Sequence, residues 1–110
     1  MIKNRRKYPR HNLVYTVSYS TQGLEAEPVY TKSFDVSLGG ISIILKDFIL
    51  NPGEVMLSIY GPDKENPVKA KGRIVWQGNV PRSGEKRAGI QFTKVKLDRL
   101  KTLLEISSTE

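Results

Sequence analysis

Six short runs of alternating apolar and polar residues, each bounded by turn-forming clusters, limit what this chain can fold into more than any other feature of it. In the first, Leu13, Tyr15, Val17 and Tyr19 fall on one face of an extended strand, and Val14, Thr16, Ser18 and Ser20 on the other. A period of two is the pattern of a half-buried strand. Comparable runs follow at 29–36, around Tyr30 and Phe34, and at 41–45, 55–60, 68–77 and 88–93. In the fifth, Val68, Ala70, Ile74 and Trp76 alternate with Lys69, Lys71, Arg73 and Gln77, which predicts an apolar inside and a basic outside. Thr21-Gln22-Gly23, Asn51-Pro52-Gly53, Gly61-Pro62-Asp63 and Arg82-Ser83-Gly84 supply turns at the spacing of antiparallel β architecture. The pattern predicts an all-β domain, a small six-stranded barrel or sandwich. After Val95 the period becomes helical, and Leu97, Leu100, Leu103 and Leu104 form one stripe able to dock on the barrel or on a partner.

With 110 residues the chain is long enough for one hydrophobic core and too short for two. It has no cysteine, so disulfides and thiolate metal sites are excluded and a reducing compartment, the cytoplasm, is the expected location. No apolar run approaches the roughly 18 residues of a membrane span, and the basic N-terminus leads into charge, unlike a signal peptide. A net charge of +7 biases partners toward anions, although charge alone also serves solubility.

Part of that charge sits in residues 1–11, where Lys3, Arg5, Arg6, Lys7 and Arg10 come with almost no apolar material. Such a segment cannot order itself by burial. It is expected to be a flexible arm, with residues 12–110 forming the barrel and its helix. Pro9 disfavours helical geometry at Tyr8, so Arg6 and Arg10 are carried on a bend or extended strip. Catalysis is hard to build from this inventory. The single histidine, His11, lacks relay or metal partners; no phosphate loop of the G-x-x-x-x-G-K-[ST] type occurs; and Asp63 and Glu65 lie in a turn flanked by proline. No enzyme activity, metal or cofactor is expected.

Two patterns remain, Arg-x-x-x-Arg at Arg6 and Arg10, and Asp-x-Ser-x-x-Gly at Asp35, Ser37 and Gly40. Singly, each has an ordinary reading, a solvated basic face and a tight turn. Together, and in this order, they resemble the PilZ domain family, which places the first pattern just before its first strand and the second at a strand turn. Gly72-Arg73-Ile74-Val75-Trp76 and Ala88-Gly89-Ile90-Gln91-Phe92 are similar to the family's later strands, and a closing helix is common there. The resemblance implies a six-stranded antiparallel Greek-key-like β-barrel with a flexible basic N-terminal arm and a C-terminal α-helix. It further implies a non-catalytic receptor for cyclic di-GMP.

That ligand presents two phosphates and two guanines. An arginine fork donates paired hydrogen bonds to phosphate or to O6 and N7 of guanine and keeps its charge at physiological pH. Asp35 can accept from guanine N1 and N2, or merely cap its own turn. Ser37 donates or accepts, Gly40 lets backbone approach a flat base, and Gly39 serves the turn or the ligand. By resemblance, Arg5, directly before the first motif, marks members that take an intercalated pair of ligand molecules. Trp76 is in register with buried neighbours, so core packing is expected, with stacking on a guanine as the rival. The implied mechanism is an arm that closes over the nucleotide and presents the result to an unidentified downstream protein. No DNA, RNA or membrane span is expected. Two alternatives stay open: a barrel binding single-stranded nucleic acid through Lys69, Lys71, Arg73, Lys86 and Arg87, and a nucleotide-independent adaptor docking through its leucine stripe.

Overall fold

The computed structural model describes residues 14–21, 28–50, 53–62 and 64–108. They form strands β1 (Thr16–Thr21), β2 (Val29–Val36), β3 (Gly40–Leu45), β4 (Glu54–Tyr60), β5 (Val68–Asn79) and β6 (Lys86–Val95), then helix α1 (Leu97–Ser108). Every strand pair is antiparallel, and the order β1-β2-β3-β6-β5-β4 closes into a barrel because β4 also pairs with β1. The neighbours β4-β1-β2-β3 make a Greek key. The predicted strand count, antiparallel sense and closing helix all hold.

Alternation sorts the side chains as the sequence indicates along most of the wall. Val17, Val36, Ile41, Ile43, Val55 and Ile59 are fully buried inside, with Tyr15, Tyr19, Leu57, Val68, Ala70, Ala88 and Ile90 around them. Three bulges interrupt this order. Ser33 faces Ile43 while Asp35 faces Ser42, leaving Phe34 as the extra residue on β2. Likewise Thr93 is extra on β6, and Val75 is extra on β5, between the pairs Ile74 with Ile90 and Trp76 with Gly89. A bulge shifts the parity of everything beyond it.

Two sequence expectations fail here for that reason or for a simpler one. Trp76 is 49% exposed and lies on the outer face, because the extra Val75 moves it out of phase with Val68, Ala70 and Ile74. Tyr30 and Phe34, read as the apolar anchors of the second strand, also point outward, while Ser33 and Val36 are the buried positions. Tyr30 finds a surface partner in Tyr60, with ring centroids 6.2 Å apart, and the hydrogen bond between them raises its phenol pKa above the ordinary value.

The helix spends its stripe on the barrel. Leu100 is fully buried, Leu103 and Leu104 are nearly so, and all three belong to the barrel's core cluster, whereas Leu97 is 46% exposed. Asp98 in the first turn complements the helix dipole, and Arg99 ties the helix to the β4–β5 loop through a 2.6 Å bond to the Asn66 carbonyl. The adaptor alternative therefore lacks its proposed docking face. No helix among the described residues is long and apolar enough to cross a membrane. Leu100→Ala should lower the unfolding free energy by about 2–5 kcal/mol in urea titrations, while Leu97→Ala should stay within about 0.5 kcal/mol of the parent.

Candidate functional site

The bulges bring four outward positions into one row across the barrel wall. Asp35 on β2 pairs with Ser42 on β3, Ser42 with Gly89 on β6, and Gly89 with Trp76 on β5. At one end of the row the Ser42 hydroxyl donates to Asp35 Oδ1 at 2.9 Å and accepts the Asp35 N–H at 3.3 Å. This two-way bond fixes the carboxylate on the wall. At the other end the indole of Trp76 rests on Gly89, where a β-carbon would run into the ring. Glycine is needed there for space, and it lets a large flat ring lie along the sheet.

The turn between β2 and β3 uses the rest of the Asp-x-Ser-x-x-Gly pattern internally. Ser37 is buried; its hydroxyl accepts the Gly39 N–H at 3.1 Å, and its own N–H donates to the Gly40 carbonyl at 2.9 Å. Gly39 in turn accepts from the Phe92 N–H at 2.9 Å, tying the turn to β6. A side chain at Gly40 would overlap the Ile90 carbonyl oxygen, so glycine is required there by the close approach of β3 to β6. That requirement arises inside the barrel wall, a reason the sequence pattern does not reveal.

Two arginines flank the row. Arg87, opposite Ile44, lays its guanidinium 3.5 Å from the centroid of the Phe34 ring and bonds Glu85 Oε1 through Nε at 2.8 Å. Glu85 is placed by the β5–β6 turn, where Val80 N–H meets the Glu85 carbonyl at 2.8 Å. On the other side Arg73 lies opposite Gln91, within 3.5 Å of its amide oxygen. The face thus offers an anchored acceptor, a half-exposed aromatic plane and two guanidinium groups, a set suited to a flat, hydrogen-bonding anion. Among the described residues no group of three or more acidic or histidine side chains could hold a metal ion.

Of the expected site residues, Asp35, Ser37, Gly39, Gly40 and Trp76 converge on this part of the wall, and Arg5, Arg6 and Arg10 lie outside the described residues. Phe34, Ser42, Arg87 and Gly89 were not anticipated there. Ser42 and Gly89 become visible only through the strand register, and Phe34 only through its bulge. The nucleic-acid alternative groups Lys69, Lys71, Arg73, Lys86 and Arg87 on one surface. In the structure Arg87 and Lys86 stand over the rings of Phe34 and Phe48, while Lys69 and Lys71 line a separate trough.

A closed Greek-key barrel with a capping helix places the chain among small antiparallel β-barrel domains. Within that class, the chain belongs to the PilZ domain family, which it matches over residues 4–107. No curated protein sequence is significantly similar to it. Among solved structures it resembles the Bacillus subtilis inhibitor of motility MotI/DgrA, with a TM-score of 0.78 at 21% identity over 96% of this chain and 50% of that one. It also resembles the PilZ domain of YcgR from Escherichia coli, solved with c-di-GMP, with a TM-score of 0.68 at 14% identity over 94% and 89% of the two chains. The complex of K. pneumonia MrkH with c-di-GMP gives a TM-score of 0.61 at 18% identity over 96% and 52%. The chain therefore spans about half the length of MotI/DgrA and of MrkH. Gly89→Val should lift the indole off the wall, seen as a red-shifted Trp76 emission and stronger acrylamide quenching in an otherwise folded protein.

Proposed function

We propose that the chain is a cyclic di-GMP receptor that performs no chemistry on its ligand. The observation that carries this reading is the row Asp35, Ser42, Gly89 and Trp76, which sets an anchored carboxylate and an indole on one outer face beside Arg73 and Arg87. The family membership and the solved complexes of YcgR and MrkH with c-di-GMP support the choice of nucleotide. In this reading Asp35, held on the wall by Ser42, accepts from the N1 and N2 groups of one guanine. Trp76 stacks on a base, and Ser37, Gly39 and Gly40 shape the turn that holds Asp35.

The arm, residues 1–11, supplies the remaining contacts. Arg6 and Arg10 grip phosphate and guanine through their planar forks, and the gain offsets the entropy of ordering the arm. Arg5 extends the grip to a second, intercalated ligand molecule. Closure of the arm over the barrel, residues 12–110, changes one surface in the cytoplasm, and a downstream protein reads that change.

Calorimetry with cyclic di-GMP tests this directly. Arg6→Ala and Arg10→Ala should each weaken binding by about 1–3 kcal/mol, or about 5- to 150-fold in Kd. Arg5→Ala should reduce the stoichiometry from two ligands to one. Trp76 is the single tryptophan, so its emission should be quenched by saturating ligand, and the amide resonances of residues 3–11 should shift. Retained affinity in both arginine variants, or a titration that leaves Trp76 emission unchanged, refutes the assigned site.

A further inference from the structure

Outside the candidate site, where β5 begins and β6 ends, the barrel exterior carries a second feature. One row of outward residues runs Ser18, Ser58, Lys69 across β1, β4 and β5, and the next runs Ser20, Met56, Lys71, Lys94 across β1, β4, β5 and β6. Short serine side chains on one side leave a trough of about 480 Å³, and Lys69, Lys71, Lys94 and Lys96 form its other bank. Met56, 43% exposed, lies in it. Among the described residues no acidic side chain lines the trough, and none of the four lysines has an ion-pair partner.

Charge of one sign collected this way has a cost. Lys71 and Lys94 stand directly opposite each other on β5 and β6, an arrangement of like charges that destabilises a sheet. An anionic occupant would turn that repulsion into attraction. Three anionic surfaces are candidates, and the shape and chemistry of the trough separate them. Single-stranded nucleic acid needs exposed aromatic planes for its bases, and the one aromatic lining residue, Tyr19, is buried. A bilayer surface is flat on this scale and cannot enter a concave trough. An extended acidic peptide can, laying one apolar side chain on Met56 and carboxylates along the lysine bank. Lysine suits carboxylates at variable spacing, because its ammonium is a compact charge with three donors on a flexible stem.

We propose that this trough is a docking site for an acidic, extended segment of a partner protein. It uses rows other than the one assigned to the nucleotide, so it stands or falls separately from the receptor reading. The probe is a fluorescein-labelled peptide of alternating Glu and Leu, followed by anisotropy and by amide shifts on the intact chain. Binding should weaken with salt, as exposed charge pairs do. Lys71→Glu/Lys94→Glu should lose about tenfold or more in affinity, while Lys46→Glu/Lys101→Glu, with the same change in net charge at exposed positions elsewhere, should stay within about twofold. Shifts in the wild-type protein should centre on Ser18, Ser58, Lys69 and Lys71, a readout independent of whether either variant folds. Absence of binding, equal losses in the two double variants, or shifts centred elsewhere would overturn the proposal. So would tighter binding of an oligothymidylate or of phosphatidylglycerol vesicles through the same lysine pair.

Discussion

Pairing of β4 with β1 is the contact on which the remaining structure depends. Thr16 to Thr21 run against Tyr60 to Val55 without a break in register, and this joins the two halves of the sheet, β2-β1 and β4-β5, into a closed wall. Without it β1 and β4 would each present an unpaired edge, and the inward residues Val17, Val55 and Ile59 would have no common interior. Closure also fixes the outside. Once every strand has two neighbours, each outward side chain has defined companions in a row around the barrel, and both surfaces described above are such rows.

What differs between the rows is how they depart from regular pairing. In the trough, β1, β4 and β5 pair without interruption between Ser18 and Lys71, so the surface alternates as a simple strand would, and small serines face long lysines. At the candidate site the wall is bulged at Phe34 and again at Val75. The first bulge turns Phe34 outward to meet Arg87 while keeping Asp35 against Ser42. The second turns Trp76 outward onto Gly89. Bulges re-aim side chains at the cost of ladder hydrogen bonds, and here two of them converge on one face.

The same distinction explains how much was legible in the sequence. Strand number, antiparallel sense and the buried set of β1, β3 and β4 follow from alternation, because these strands keep one phase from end to end. Leu100, Leu103 and Leu104 were legible for the equivalent reason in helical period. Trp76 was misplaced because alternation carries no record of an inserted residue, and a slip of one position exchanges inside for outside. Ser42 and Gly89 escaped notice because a serine and a glycine in a strand have no individual signal. They matter only as neighbours of Asp35 and Trp76, and those relations are set by the register of β2 with β3 and of β5 with β6, which two bulges shift. Gly40 was picked out correctly as a residue that had to be glycine, but its requirement comes from the Ile90 carbonyl on β6.

In the proposed receptor reading, the chemistry of the face serves to hold recognition groups in place. Ser42 and Asp35 are a hydroxyl and a carboxylate within hydrogen-bond distance, which superficially resembles an activated nucleophile. Activation needs a base able to take the hydroxyl proton, ordinarily a histidine oriented by the carboxylate, whereas here the hydroxyl donates to the carboxylate itself. Ser42 is moreover buried and engaged twice with Asp35, so its oxygen is committed to holding the carboxylate in place. The indole beside it lies on the barrel exterior, 49% exposed, a plane available for stacking. A rigid wall carrying an oriented acceptor, a seated aromatic plane and a guanidinium stacked on Phe34 lowers the ordering cost of binding to that of the arm.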